Sequence, residues 1–249
     1  DDALVQAAIT ALGQLGAPSA VEAIVTRLSP SNRNVRFAAV EALGRIRGER
    51  AVGALLDTAT RRESELRASV LHALARDPPV QARGLFVAAL MENNVMCEYA
   101  ARALARLRDP STAGALRAAF QCQTGSRQLY LADALGALGD RTAVEVLCRE
   151  LASERGGYPR IDLRAANALG RIGDARAIPT LSRVFEEALA FEDLPLLDVT
   201  ARALGRIRAR GVTGLLVRAL GITDDSVQRS VVWALGRTSD PAAAEALAR

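Results

Sequence analysis

The sequence is poor in the residues on which most catalytic and metal sites depend: its 249 residues include one histidine and three cysteines, and only 4% are aromatic. His72 cannot by itself form a histidine-rich metal site, and no nucleophile lies in a recognisable pattern with it. Cys97, Cys122 and Cys148 show neither paired nor metal-ligand spacing, which favours buried thiols in a reducing, cytoplasmic compartment. No apolar run approaches the ~18 residues of a transmembrane helix, and no stretch has the pattern of a signal peptide.

Lysine is also absent, so that all 32 basic residues are arginines, and they exceed the 28 acidic residues only modestly. The net charge of +4 does not by itself indicate a nucleic-acid partner. Half of the residues are apolar, mainly alanine and leucine, which is a composition typical of closely stacked helices.

What the sequence does contain is an eightfold repeat, clearest in the stretch Ala168–Asp174. The leucine of the repeat falls at Leu12, Leu43, Leu74, Leu104, Leu135, Leu169, Leu204 and Leu235, with spacings of 30 to 35 residues. Self-similarity at such a period indicates a repeat architecture, in which each unit packs on its neighbours.

Positions counted from this leucine show which residues the repeat requires. Position −1 is alanine in every copy, and position +1 is glycine in six copies and alanine in two. Side chains this small allow another helix backbone to approach closely. Apolar residues at −8, −4, −1, 0 and +3 form one stripe, which predicts a helix of about 13 residues with the leucines fully buried.

Each such helix is followed by another, so the repeat is a helical hairpin whose second helix carries the leucine. Asp109, Asp174 and Asp240 are predicted N-caps, and Pro179 is expected in a first helical turn. The predicted hairpins span residues 17–47, 48–77, 78–108, 109–139, 140–173, 174–208 and 209–239. Half repeats remain at 1–16 and 240–249, so residues 1–249 are interpreted as a single array cut from a longer chain, or one with covered ends.

The stretch Val35–Ile46 resembles the short HEAT-like repeat that is also found in phycobilin lyases, and the resemblance covers essentially the whole chain. It implies an all-α, right-handed α-solenoid of about seven to eight helical hairpins. It also implies that the second helices line the concave surface. A fold of this kind does not by itself specify a function.

Positions −6 and −2 are four residues apart and therefore share one helix face. They vary in type from copy to copy, which predicts a partner-binding concave face that mixes charge with Leu129 and other large side chains. The candidate residues are Phe37, Glu41, His72, Arg102, Asp133, Asn167, Arg202 and Trp233. The alternative is an ordinary solvated face. Trp233 is the foremost candidate, because exposed tryptophans are frequent binding hot spots.

Position +2 carries an arginine in six of the eight copies, namely Arg45, Arg76, Arg106, Arg171, Arg206 and Arg237. These residues define a basic ridge that could bind phosphates or acidic partners. A cation near a helix C-terminus also offsets the macrodipole and bonds the last carbonyls of its own helix, and this structural interpretation is favoured. Nucleic acid is not the expected partner, since aromatic residues for base stacking are sparse.

Two insertions lengthen the repeats, at residues 153–160 and 185–193. Insertions in repeat proteins form loops on one face, often the binding face. The alternative is drift in tolerant surface loops.

No catalytic residue, cofactor site or metal site is predicted. Some HEAT-like hydroxylases carry repeated His-Glu pairs that bind iron, but here His72 is followed by Ala73. The resulting hypothesis is a non-enzymatic interaction scaffold with a protein or peptide partner and an undefined oligomeric state. The alternatives are a phycobilin-lyase-like enzyme subunit and a nucleic-acid-binding solenoid that uses the basic ridge.

Overall fold

The computed structural model describes residues 1–29, 32–61, 65–152, 161–238 and 240–248. The chain divides into two compact units, residues 1–107 and residues 108–249. In the described ranges the regular structure is helical throughout, which confirms the all-α, HEAT-type solenoid fold. The single array over residues 1–249 stays a prediction, and the 153–160 insertion lies outside the described residues.

The described residues of unit 1 form four second helices and three first helices. The second helices are α1 (Asp2–Leu15), α3 (Arg33–Ile46), α5 (Arg67–Ala75) and α7 (Val95–Leu107), and the first helices are α2 (Val21–Val25), α4 (Glu49–Thr60) and α6 (Arg83–Ala89). The second helices stack in the order α1, α3, α5, α7, and α4 packs between α2 and α6.

Unit 2 repeats the arrangement, and its described residues form five first helices and four second helices. The first helices are α8 (Ala113–Cys122), α10 (Val144–Ala152), α12 (Ile178–Ala190), α14 (Thr213–Arg218) and α16 (Pro241–Leu247), and the second helices are α9 (Ser126–Ala137), α11 (Ile161–Ile172), α13 (Leu194–Ile207) and α15 (Asp225–Leu235). The second helices again stack in chain order. The predicted half repeats at 1–16 and 240–249 are thus the single helices α1 and α16.

Aspartate caps begin several of the first helices, as the sequence predicts. The side chain of Asp109 accepts a hydrogen bond from the backbone N–H two residues on, and Asp174 and Asp240 do the same. The capped turn is a 3-10 turn after Asp109 and Asp174 and an α-helical turn after Asp240. Pro179 lies in the first turn of α12, where its missing N–H leaves no helical carbonyl unsatisfied.

The chain reverses between α11 and α12 over two residues. Gly173 follows the last residue of α11 with φ of 73°, a left-handed conformation that costs glycine little. Asp174 then caps the next turn. The Gly-Asp step of the repeat is therefore the turn that brings the first helix of the next hairpin back along the second helix.

The repeated leucine lies at the centre of the core that each repeat contributes. Leucines 43, 74, 104, 135, 169, 204 and 235 are 0–4% exposed. Leu12 contradicts the prediction because it is only half-buried, and Leu4 and Leu15 on the same helix are 70% and 80% exposed. The reason is that α1 packs against one second helix, α3, whereas the later second helices lie between two neighbours or also pack on first helices.

The small residues at +1 and −1 meet across consecutive second helices. A Cβ atom built on Gly13 would lie 2.7 Å from the Cα atom of Ala42, and one on Gly205 would lie 2.8 Å from the Cα atom of Ala234. Contacts this short are incompatible with a side chain at Gly13 or Gly205. The close backbone approach predicted from the sequence is therefore confirmed.

Two other predictions are corrected by the structure. The 185–193 insertion is largely a helix rather than a loop, because α12 runs to Ala190 and buries Phe185 and Ala188, so that only the Phe191–Glu192 turn projects. The three thiols are not uniformly buried: Cys97 is buried, Cys148 is half-buried and Cys122 is exposed. Cys122 is the last residue of α8 and lies outside the buried stripe of that helix.

Candidate functional site

In unit 1 the second helices α1, α3, α5 and α7 form a groove with a volume of about 600 Å³. Its lining includes the predicted surface residues Phe37, Glu41 and His72 together with Arg45 and Arg76 of the basic ridge. These side chains come from two consecutive second helices. The geometry therefore places part of the predicted binding face in an open groove within one compact unit.

Side chains in the groove are held by specific contacts. Arg45 Nη2 donates to Glu41 Oε1 at 2.6 Å within helix α3. The ring of His72 meets the ring of Tyr99 edge-on, with centroids 4.9 Å apart. The guanidinium of Arg33 lies 5.4 Å from the ring centroid of Phe37, within cation–π distance. The groove thus combines aromatic faces with hydrogen-bonding groups.

Tyr99 is a groove residue that the repeat positions missed, because it falls at position −5, between the two positions chosen as the face. It lies three residues before Arg102 on α7, and residues three apart on a helix are neighbours. The signal that could have identified Tyr99 is its three-residue helical spacing from Arg102 rather than its position in the repeat. Arg102 itself is exposed, as predicted.

In unit 2 residues of the predicted face accept hydrogen bonds from arginines on the next second helix. Arg171 Nη1 on α11 donates to both carboxylate oxygens of Asp133 on α9, at 2.8 and 3.0 Å. Arg206 Nη1 on α13 donates to Asn167 Oδ1 on α11 at 2.8 Å. Each of these arginines reaches back to the −2 residue of the preceding repeat.

Arg202 at position −2 follows a different pattern, because its partner is on its own helix. It forms an ion pair with Asp198, four residues earlier on α13. Ser230 on α15 donates its hydroxyl hydrogen to the same carboxylate. Asp198 therefore accepts from two consecutive second helices, and Arg202 is neutralised within its own repeat.

The last residue of the predicted face is Trp233 on α15, which is 42% exposed. Its ring lies over the backbone of Gly205, since a Cβ atom on that glycine would fall 2.7 Å from the ring. The guanidinium of Arg237 is 5.0 Å from the ring centroid of Trp233, and its Nε donates to the carbonyl oxygen of Gly205 at 3.2 Å. Trp233 is thus a rigidly placed, accessible aromatic surface.

The structural role expected for the basic ridge needs correction. Arginines at +2 were expected to bond the carbonyls of their own helix ends, but Arg106 donates to the carbonyl of Ala75, and Arg171, Arg206 and Arg237 likewise reach the preceding repeat. Only Arg45 bonds within its own helix among these contacts. At Gly170 the Cδ atom of Arg206 lies 3.6 Å from the site of a Cβ atom, so the stem of this arginine crosses the small residue of the preceding repeat.

One residue assigned to the exposed face from its repeat position is instead buried. Leu129 on α9 is 4% exposed and contributes to the core. Position −6 therefore does not always face solvent, whereas the eight residues at position −2 are all exposed or half-buried. The face that can contact a partner is set mainly by position −2.

The electrostatics of this face are uneven. Partial desolvation lowers the pKa of the Arg206 guanidinium, and the positive charges of Arg171 and Arg202 lower the pKa further.

No group of three or more histidine, cysteine, aspartate or glutamate side chains with metal-binding geometry occurs in the described ranges. None of the helices in those ranges is both long and apolar enough to cross a membrane.

Stacked helical hairpins with a buried, uniform seam and an exposed, varied second-helix face define a helical-repeat protein. The chain belongs to the HEAT repeat family, because the model of HEAT repeats matches residues 1–75 and 196–249, which together are more than half of the chain. The model of the PBS lyase HEAT-like repeat matches residues 97–122, 128–153 and 163–187. The resemblance to short HEAT-like repeats is thereby confirmed.

Solved structures also match the chain at low sequence identity. The complex of CpcE and CpcF of phycocyanin lyase from Nostoc sp. is 20% identical, with a TM-score of 0.55 and coverage of 92% of both chains. Human deoxyhypusine hydroxylase in complex with glycerol is 20% identical, with a TM-score of 0.45 and coverage of 95% of this chain and 91% of that chain. An engineered protein is 23% identical, with a TM-score of 0.42 and coverage of 87% and 95%. No curated protein matches the sequence.

Proposed function

We propose that this protein is a non-enzymatic scaffold that binds a protein or peptide partner along the exposed face of its second helices. The observation that supports this proposal is a contrast within each helix. Positions −1 and 0 are invariant and mostly buried, whereas position −2 is exposed or half-buried and carries seven residue types in eight copies. A packing position needs one residue type, but a surface shaped for one partner needs a different contact at each step.

The groove of unit 1 supports the same proposal. A volume of about 600 Å³ is sufficient to take several side chains of an extended or helical segment. Phe37 and Tyr99 supply apolar contact area, and Arg76 supplies an exposed cation at the edge. HEAT repeats as a family commonly serve as interaction modules, which is consistent with this assignment. A cytoplasmic location forms part of the proposal, since Cys97, Cys122 and Cys148 form no disulfide in the described residues.

The proposal is tested by isolating the partner and then altering the groove. Partners captured from a lysate of the source organism would be identified by mass spectrometry and titrated against purified protein. The double variant Phe37→Ala/His72→Ala should weaken binding at least about tenfold while its melting temperature stays close to that of the wild type. Val80→Ala is the matched control, because Val80 is 68% exposed but precedes the first helix α6.

The proposal would be rejected if Val80→Ala weakened binding as much as the double variant does. It would also be rejected if the double variant bound every captured partner with wild-type affinity. If the double variant loses both affinity and melting temperature, the single variants Phe37→Ala and His72→Ala separate an effect on binding from an effect on folding.

A second candidate function follows from the PBS lyase HEAT-like repeats at residues 97–187. A subunit that handles a bilin would perturb the pigment's absorbance, because the spectrum of a linear tetrapyrrole depends on its conformation. The groove is large enough for a ligand of that class. Titrating the protein with a free bilin tests this candidate directly, and an unchanged absorption spectrum at saturating protein would eliminate it.

A further inference from the structure

The arginines at position +2 in unit 2 occupy equivalent places but have partners of different charge. Arg171 on α11 binds a carboxylate, Asp133, whereas Arg206 on α13 binds a neutral amide, Asn167. Asp133 and Asn167 both occupy position −2, in consecutive repeats. The replacement of aspartate by asparagine keeps the hydrogen bond and removes the compensating charge.

Arg206 is consequently a guanidinium without a counter-ion in the described part of unit 2, where no carboxylate lies within ion-pair distance of it. Its Cδ atom lies 3.6 Å from the site of a Cβ on Gly170, so its stem crosses the backbone of α11. Partial desolvation and repulsion by Arg171 and Arg202 lower the pKa of Arg206, and the attraction of Asp133 offsets only part of this. Arg206 is exposed, so its unfavourable contribution comes from repulsion by the two neighbouring arginines rather than from burial.

The neighbouring arginines cannot share this role, because each already has a carboxylate. Arg171 is bonded to both oxygens of Asp133, and Arg202 is paired with Asp198, which Ser230 also holds. Arg206 alone among the three has no carboxylate partner in the described part of unit 2, and the N–H groups that do not bond Asn167 can donate to an external acceptor. The surface is therefore suited to a single negative charge, with Asp133 and Asp198 on either side of it.

We propose that Arg206 binds one carboxylate of a protein partner, an aspartate or glutamate side chain in an otherwise uncharged segment, and that Asn167 positions the guanidinium for it. This inference rests on the proposed function and gives the partner's chemistry at that face. A guanidinium binds a carboxylate bidentately while retaining the Asn167 hydrogen bond through its remaining N–H groups. A nucleic-acid backbone fits less well, because its closely spaced phosphates would meet Asp133 and Asp198.

The decisive variant is Asn167→Asp, which should supply the missing charge from within the protein. Its melting temperature should exceed that of the wild type, because the carboxylate compensates Arg206. Asp133→Asn is the matched reverse variant, and it should melt lower, since it leaves Arg171 uncompensated as well. The pair keeps size and hydrogen bonding constant while the charge changes in opposite directions.

Binding would be measured with a capped six-residue peptide of alanine and leucine that contains one central glutamate, with its glutamine counterpart as the uncharged probe. Nitrogen-15 spectra of the arginine Nε–H groups report the contact directly. The glutamate peptide should shift the Arg206 signal saturably and the glutamine peptide should not. Asn167→Asp should weaken this binding about tenfold. Arg206→Gln, followed through the backbone amide signals of α13, should abolish it without lowering the melting temperature.

Several outcomes would overturn the inference. One is an Asn167→Asp variant that binds the glutamate peptide like the wild type or melts no higher. Another is tighter binding of a single-stranded oligouridylate than of the peptide, which would identify a phosphate-binding surface instead. If partners captured from the lysate are retained by Asn167→Asp and lost by Phe37→Ala/His72→Ala, the proposed function stands and only this inference fails. If neither variant loses a partner, both fail.

Discussion

The Cα atom of Ala203 lies 2.7 Å from the place that a Cβ atom on Gly170 would occupy, so α11 and α13 touch backbone to backbone at this point. The same relationship joins Gly13 to Ala42 and Gly205 to Ala234. The small residues at +1 and −1 thus form one contact between consecutive repeats. This contact sets the distance between second helices, and with it the spacing of the side chains on their exposed face.

The first prediction concerns this contact. Gly170→Ala should lower the free energy of unfolding by about 1–3 kcal/mol through overpacking, despite the better helix propensity of alanine. Gly170→Leu should destabilise further. The control is Gly236→Ala, since the nearest atoms to a Cβ there are 3.6 Å away and belong to the preceding turn. Urea denaturation compares the three variants, and equal stability of Gly170→Leu and the wild type would refute the packing account.

The second prediction concerns the leucine row. Leu169 is 0% exposed, so Leu169→Ala should cost about 2–5 kcal/mol through loss of buried area and formation of a cavity. Leu12→Ala should cost clearly less, because Leu12 is only half-buried. The measurement is the free energy of unfolding from chemical denaturation of both variants. Similar losses at the two sites would show that burial does not determine the contribution of this leucine.

The third prediction concerns Trp233, whose ring is fixed over Gly205 and remains 42% exposed. Trp233→Ala should weaken binding of the captured partner by about 2 kcal/mol or more with the fold intact. The comparison is Arg171→Ala/Arg206→Ala, which should weaken binding less, because Arg171 is already paired within the protein and Arg206 supplies only a single carboxylate contact. If the arginine pair abolishes binding and Trp233→Ala does not, an electrostatic recognition mode replaces the proposed one.

The fourth prediction concerns pH. Hydrogen bonds from the side chain and the backbone N–H of Arg176 lower the pKa of Asp174. Because the folded-state pKa is the lower one, the stabilisation is present above the unfolded-state value of about 3.9 and is lost as the pH falls through the folded-state pKa. The difference in melting temperature between the wild type and Asp174→Asn should therefore be large at pH 7 and small near pH 3. A difference that stays constant would argue against this carboxylate as the source.

The exposed face was only partly predictable. Position −2 proved exposed or half-buried in each copy, but Leu129 at position −6 is buried and Tyr99 at −5 lines the groove. A repeat register gives the angle of a side chain around its own helix. It does not give the tilt of that helix against its neighbours, and this tilt decides whether an intermediate position is covered.

The sequence by itself determined the helices, their caps and the buried seam, because periodicity, N-capping aspartates and small-residue positions act within a few residues of the chain. It could not show that Arg106, Arg171, Arg206 and Arg237 reach into the preceding repeat, since those hydrogen bonds join residues 31 to 39 positions apart. Nor could it show that Arg206 lacks a counter-ion because its partner Asn167 occupies the position that Asp133 holds one repeat earlier. Only the tertiary structure decided these points, because they depend on which side chains the stacking of consecutive second helices brings within hydrogen-bonding distance.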